Sequence, residues 1–188
     1  DVKPQINFVP ALLQMQQEAH DKNQKFTIYQ HAGETNWPTD NLVDAVLLDS
    51  QRIGHGYNLF RFPNLMETVK KNSITIEICP VSNVVLGLVQ DQRNHSAVEY
   101  LKRDLPIVIS NDDPGIFGYT GVTHDWYQAV VGWNMNLGLM KKVALQSIKA
   151  SRMTTQQQAS ATKAWQVAYD AWILGVCEEY KDAKLQIK

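Results

Sequence analysis

Four short apolar runs, each followed or separated by helical spacing, constrain this chain more than any other feature. Lys25–His31 reads as a strand, as do Arg52–Gly56, Ser73–Pro80 and Leu105–Ser110; the third is rich in β-branched residues and stopped by proline. Between and before them the period changes. Pro10 opens a segment with Leu12, Met15 and Ala19 on one face, and Thr39-Asp40 is an N-cap signal before Leu42–Leu48. Pro63 opens a helix with Leu65, Met66 and Val69 inward, and Ala97, Val98 and Leu101 mark another. Beyond Ser110 the pattern is helical, ending in a stripe of Trp165, Ala168, Tyr169, Trp172 and Val176. Such alternation implies an α/β fold with a parallel sheet, because parallel neighbours need a crossover between them. An open doubly wound sheet and part of a closed (β/α)8 barrel both satisfy it. No glycine-rich phosphate fingerprint follows a strand, which weakens the dinucleotide-binding version. A whole barrel takes roughly 250 residues. The 188 here, with one strand–helix rhythm and no linker, predict a single partial domain of about four strands.

The ends of those strands carry the chemistry. His31 closes the first and His55 the second, Asp112-Asp113 follows the fourth, and the third runs through Cys79-Pro80 into Ser82-Asn83. Each has an ordinary structural reading alone: a histidine beside glycine in a turn, an aspartate capping a helix. Four successive strand ends bearing such groups point instead to the carboxyl-end face where barrel enzymes assemble their sites. Neutral imidazole and carboxylate are the ligands of a catalytic zinc that keeps one position open for water. Bound zinc brings that water's pKa towards about 7 and so supplies a nucleophile able to displace an amine. His31 and Asp112 are candidate ligands, and Glu34 sits above the same mouth as a proton donor. Three or four ligands make a stable site, and the sequence contains no His-x-His, so the site is incomplete on its own.

Charge excludes other classes. The 18 basic and 19 acidic residues nearly cancel and form no block, which argues against nucleic acid or a polybasic membrane patch as partner. No apolar run approaches the roughly 20 residues that span a bilayer. Cys79 and Cys177 lie far apart and read as buried thiols rather than a disulfide. His20 reads as solvated, and His124 as a helix-start residue.

Four motifs complete the picture. His31-Ala-Gly-Glu34, Arg52-Ile-Gly-His-Gly56, Cys79-Pro-Val-Ser-Asn83 and Ser110-Asn-Asp-Asp-Pro114 resemble, in this order, the signature of the adenosine deaminases. Trp37, Arg93-Asn-His95, Phe117-Gly118 and Asp125-Trp-Tyr127 are similar to markers of the secreted branch, the adenosine deaminase-related growth factors. The resemblance implies the C-terminal half of a (β/α)8 barrel that hydrolyses adenosine or 2′-deoxyadenosine to the inosine product and ammonia. His31 and Asp112 would be zinc ligands, with the others on a His-x-His strand upstream of Asp1. Glu34 would protonate the purine ring, His55 would orient the attacking water, and Asp113 would hydrogen-bond the imidazole-ring nitrogen of the purine. Val84 and Asn111 depart mildly from the pattern at positions that are not ligands.

Further expectations follow from the resemblance. The barrel's N-terminal half, in the same or a separate chain, would complete the site. Cut edges and an inner layer including Ile28, Ile76, Ile78 and Val108 would otherwise meet water. The aromatic stripe reads as core against the barrel's outer wall, or as a homodimer surface. An extracellular location is implied although no signal peptide is visible, and Asn94-His-Ser96 is a sequon that makes Asn94 a candidate glycosylation site. Three alternatives stay open: a deaminase of another aminopurine, a growth-factor or nucleoside-binding module with catalysis reduced or lost, and a purely structural half-barrel subunit.

Overall fold

The computed structural model describes residues 3–35 and 40–183, so Trp37, Pro38 and Thr39 lie outside the described residues. Two compact units divide the chain, Asp1–Ala150 and Ser151–Lys188. The first is built on a four-stranded sheet: β1 (Tyr29–Ala32), β2 (Arg52–His55), β3 (Thr75–Ile78) and β4 (Ile107–Ile109), in the order β1-β2-β3-β4. Every pairing is parallel. Helices alternate with the strands: α1 (Val9–Asp21), α2 (Asn41–Leu47), α3 (Pro63–Lys71), α4 (Pro80–Val85), α5 (Ser96–Lys102), then α6 (Pro114–Phe117), α7 (Thr123–Gly132) and α8 (Leu137–Lys149). Strands are shorter than their apolar runs. The N–H of Ile28 donates to the Gln51 side chain rather than to a neighbouring strand, so β1 starts one residue later.

Register decides what each face carries. Ile53, Ile76 and Ile107 stand side by side, as do Ile78 and Ile109, and all join the helix-covered core with Ala32, Leu59, Met66, Val69 and Ala97. The alternate positions are Tyr29, His31, Arg52, Gly54, Thr75, Glu77 and Val108. The expectation that Ile76 and Ile78 form the barrel's inner layer is therefore corrected: their parity puts them on the helix side. Ile28, Ile76, Ile78 and Val108 are all buried. The other face is polar and internally paired. Arg52 donates through Nε to Glu77 at 2.5 Å, and its guanidinium lies 4.8 Å from the centre of the Tyr29 ring. At the amino ends of the strands, Gln146 of α8 donates to Thr75 and Arg52 reaches the Ala150 carbonyl.

α1 differs from its sequence pattern. Leu12 and Ala19 are half-buried, but Met15 is exposed and Gln16 takes its place on the inward line, donating to the Leu48 carbonyl at 2.8 Å. The second unit holds α9 (Thr155–Glu179), started by a reciprocal Thr154–Gln157 capping box. Its stripe forms a ladder: Trp165 stacks on Tyr169 at 4.8 Å, and Tyr169 meets Trp172 at 5.7 Å. Cys79 is buried and free as expected; Cys177, also free, is exposed, which corrects its reading as a buried thiol. Among the described residues no helix is long and apolar enough to cross a membrane.

One histidine is part of the core. His95 is 2% exposed, caps α5 by accepting the Ala97 N–H at Nδ1, and packs against the Tyr57 and Trp133 rings at 5.2 and 5.3 Å. Burial pulls its pKa from 6.5 down to about 4. Its contribution to stability is whole above pH 6.5 and is lost as pH falls towards 4, because the unfolded chain takes up a proton that the folded one refuses. The loss is about 3 kcal/mol at the acid end. Urea unfolding from pH 7.5 to about 4 should show a steeper decline for the wild type than for His95→Gln; parallel curves would refute it.

Candidate active site

The four carboxyl ends lie along one edge of the sheet, and the side chains there converge. His31 projects from the polar face of β1, opposite Gly54 in the register. Gly54 leaves room for it: a Cβ there would stand 3.0 Å from the imidazole ring, closer than a methyl group normally packs. His55 ends β2. Alternation alone would send its side chain to the helix side with Ile53, but its φ of 61° is left-handed and breaks the alternation. Its ring lies 5.2 Å from that of His31. Asp112 also takes a left-handed φ, 51°, in the turn beyond β4. For residues with a Cβ this conformation costs about 1–2 kcal/mol. Two such residues, at the end of β2 and beyond the end of β4 on either side of β3, place strain where the polar groups meet.

The distances define a cluster. His55 Nε2 is 3.3 Å from Glu34 Oε1 and 3.9 Å from Asp112 Oδ2. His31, His55 and Asp112 each offer a ligand atom, all within 4.8 Å of one another, and among the described residues this is a group able to hold a metal ion. His31 is exposed towards the mouth, whereas the His55 side chain is 2% exposed. Burial lowers the His55 pKa; the Glu34 and Asp112 carboxylates pull the other way without overcoming it. His55 is thus neutral near pH 7.

The Cys79–Asn83 segment holds this cluster from behind. Ser82 donates to Asp112 Oδ2 at 2.6 Å, and Asn83 Nδ2 lies 3.4 Å from His55 Nδ1. Asn83 Oδ1 meets His95 Nε2 at 2.9 Å. The segment is itself pinned by Asp125, fully buried, which accepts the Val81 N–H at 3.0 Å. Burial raises the Asp125 pKa. Tyr119 Oη lies 3.0 Å from Asp125 and 2.9 Å from the Asn111 carbonyl, which ties the α4 start to the turn carrying Asp112.

Of the residues singled out in the sequence, His31, Glu34, His55 and Asp112 come together. Asp113 does not join them: it is exposed at the start of α6, and no side-chain hydrogen bond or ion pair links it to the cluster among the described residues. Asn94 is exposed in the 3-10 turn Gln92–Asn94. His20 is solvent-exposed, and His124 lies in the first turn of α7. Sequence reasoning assigned no role to Ser82, Asn83, His95 or Asp125. The first two stood in plain view as the polar end of the third strand. His95 and Asp125 stood within the Arg93-Asn-His95 and Asp125-Trp-Tyr127 markers, but their partners, 12 and 44 residues away, gave no local sign of what they hold.

Comparison with known proteins agrees with this arrangement. A family profile described as adenosine deaminase matches residues 4–164. The chain is 38% identical over 177 residues to an adenosine deaminase of Phlebotomus duboscqi, covering 90% of this chain and 33% of that protein. It is 39% identical over 170 residues to adenosine deaminase 2 of Dictyostelium discoideum, covering 90% and 30%. Among solved structures, an amidohydrolase from Burkholderia ambifaria with bound Zn superposes with a TM-score of 0.80 at 21% identity, over 95% of this chain and 48% of that one. An adenine deaminase from Arthrobacter aurescens gives 0.72 at 24% identity, over 85% and 46%. These last two likenesses concern the fold, the C-terminal half of a (β/α)8 barrel. The chain spans about a third of the length of the curated relatives it matches. Strand order, motif order and family match agree: the chain belongs to the adenosine deaminase family and represents the C-terminal part of its domain.

Proposed function

We propose that this chain supplies the larger share of the catalytic groups of a zinc-dependent deaminase, which converts adenosine or 2′-deoxyadenosine and water into the inosine product and ammonia. The convergence of Glu34, His55 and Asp112 at 3.3 and 3.9 Å beside His31 carries this reading. Imidazole and carboxylate are ligand types that zinc takes, so His31 and Asp112 fit the ion. His31 and Asp112 would hold it, together with a His-x-His of the barrel's N-terminal half, in the same or a separate chain. Bound zinc would act as a Lewis acid that makes water a nucleophile at neutral pH.

The chain's own groups then divide the remaining work. Ser82 occupies one oxygen of Asp112 and fixes the orientation of that carboxylate. Glu34, on the loop after β1, gives a proton to the purine ring nitrogen next to the amine-bearing carbon, which becomes electrophilic. Water's oxygen adds to that carbon and stays on the ring; of water's two protons, one leaves on the amine as ammonia and the other restores Glu34. His55 orients the attacking water from the buried side. Asp113, exposed at the mouth, shares a hydrogen bond with the imidazole-ring nitrogen.

The remaining proposals concern context. Residues 1–188 are proposed as one partial barrel domain whose sheet lies in the Asp1–Ala150 unit, and β1 and β4 each pair on one side only among the described strands. Expressed without its upstream half, the chain should elute as aggregate and melt without a sharp transition; a monomeric, cooperatively melting species would refute that. A homodimer through the Trp165–Trp172 ladder is the second use of that surface. Resemblance to the secreted branch supports an extracellular protein. Asn94, exposed, is the residue to test for a glycan by intact mass before and after glycosidase.

In the full-length protein, Glu34→Gln should lower kcat on the order of 10²- to 10⁴-fold, followed by loss of adenosine's ultraviolet absorbance. An unchanged rate would refute the role given to Glu34. Asp112→Ala should remove both activity and zinc measured by elemental analysis. A folded wild type that binds nucleoside but holds no metal would favour the binding-module alternative. A substrate panel of aminopurines, their nucleosides and nucleotides would separate the deaminase readings.

A further inference from the structure

Behind His55, on the side away from Glu34 and Asp112, a buried chain of hydrogen bonds runs to a backbone amide. It starts at Ala97, whose N–H lies 2.9 Å from His95 Nδ1. A backbone N–H can only donate, so Nδ1 of His95 must offer a lone pair. The His95 ring is neutral in its apolar setting between Tyr57 and Trp133, so its single proton sits on Nε2. That proton points at Asn83, 2.9 Å away, and requires the amide oxygen to face it. Asn83 therefore turns its NH2 towards His55 Nδ1 at 3.4 Å, and an amide NH2 can only donate. His55 Nδ1 must accept. Neutral His55 is left with its one proton on Nε2, aimed at Glu34 Oε1 at 3.3 Å and, farther off, Asp112.

Each link is forced by the one before, and the first is backbone. Asn83, His95 and His55 are all 2% exposed or less, so water cannot readily substitute for a missing partner. We infer that Asn83 and His95 are positioning residues that hold His55 in the Nε2–H tautomer, so that it presents a hydrogen-bond donor, not a proton acceptor, to the catalytic face. The consequence for catalysis rests on the deaminase reading above: His55 stabilises the oxygen that attacks the purine by donating to it, and the proton of the attacking water must go elsewhere. The carboxylates facing the same space are Glu34 and Asp112.

The test uses the full-length protein with 15N-labelled histidine. His55 and His95 are assigned by their loss in His55→Asn and His95→Gln. In the wild type both imidazoles should carry the proton on Nε2, with Nδ1 bare; a proton on Nδ1 of either ring would overturn the inference whatever the activity. Asn83→Asp keeps the shape but makes both ends acceptors. It should move the His55 proton to Nδ1 and lower kcat on the order of 10²-fold, with KM changed by less than about threefold. His95→Gln can still accept from Ala97 and donate to Asn83, so it should keep the tautomer and most of kcat, whereas His95→Leu should lose both. Equal losses in these two variants, with His55 still protonated on Nε2, would also overturn it. A wild type with the predicted tautomers but no action on adenosine would remove the deaminase reading and leave the relay standing.

Discussion

Parallel pairing in sequential order is the constraint on which everything else in this chain depends. Because β1 to β4 run the same way and each lies beside its successor, all four carboxyl ends must fall on one edge. A residue just past any strand is then a neighbour of the residue just past the next, although some 20 to 30 positions separate them, as between His31 and His55 or between Ser82 and Asp112. The sheet thus converts sequence distance into a short row of adjacent side chains. That row becomes a cluster at its ends, where two residues leave the regular conformation.

Those departures are local and costly. An extended His55 would follow Ile53 to the helix side and bury its imidazole among aliphatic groups. Its left-handed turn redirects the ring towards His31, and the same conformation at Asp112 brings a carboxylate back over the β3–α4 segment that carries Ser82. Glycine would tolerate either backbone more easily, but it carries no imidazole and no carboxylate. The strain is offset by partners: Ser82 on Asp112, Asn83 on His55, and Asp125 beneath both through Val81. The Cys79–Asn83 segment is therefore a support whose Ser82 and Asn83 side chains serve two different strand ends.

How much of this was legible in the sequence depended on the range of the interactions. Strand–helix alternation is local, so the four strands and the α3 and α5 helices stand where their apolar spacing placed them. His31, Glu34, His55 and Asp112 were legible because strand ends are legible, and parallel order does the rest. Face assignment failed where composition competed with parity. Ile76 and Ile78 read as an inner layer because they are apolar, yet Arg52, Tyr29 and Glu77 form a polar inner face that neutralises itself by pairing. Met15 misled in the same way, since an apolar residue at helical spacing need not face the core when a glutamine next to it finds a carbonyl. His95 looked like part of a surface sequon. Nothing within a few residues shows that Tyr57 and Trp133 will close over it.

That contrast separates two kinds of functional residue. Groups that would meet substrate or metal must reach the open edge, so they crowd into short motifs at strand ends. Groups that orient them from behind obey only packing and hydrogen-bond polarity, and they can come from any element that reaches the buried side. His95 belongs to this second kind: it caps a helix, fills a core between two aromatic rings and hands the polarity of one backbone amide to Asn83. A motif search weighs Ser82 and Asn83 as letters beside Pro80. The geometry gives Asn83 a direction, from a fixed N–H inwards to the imidazole at the end of β2, and Ser82 a separate task on Asp112. On the inference above, the polarity that His55 presents to the open edge is decided by atoms on its buried side.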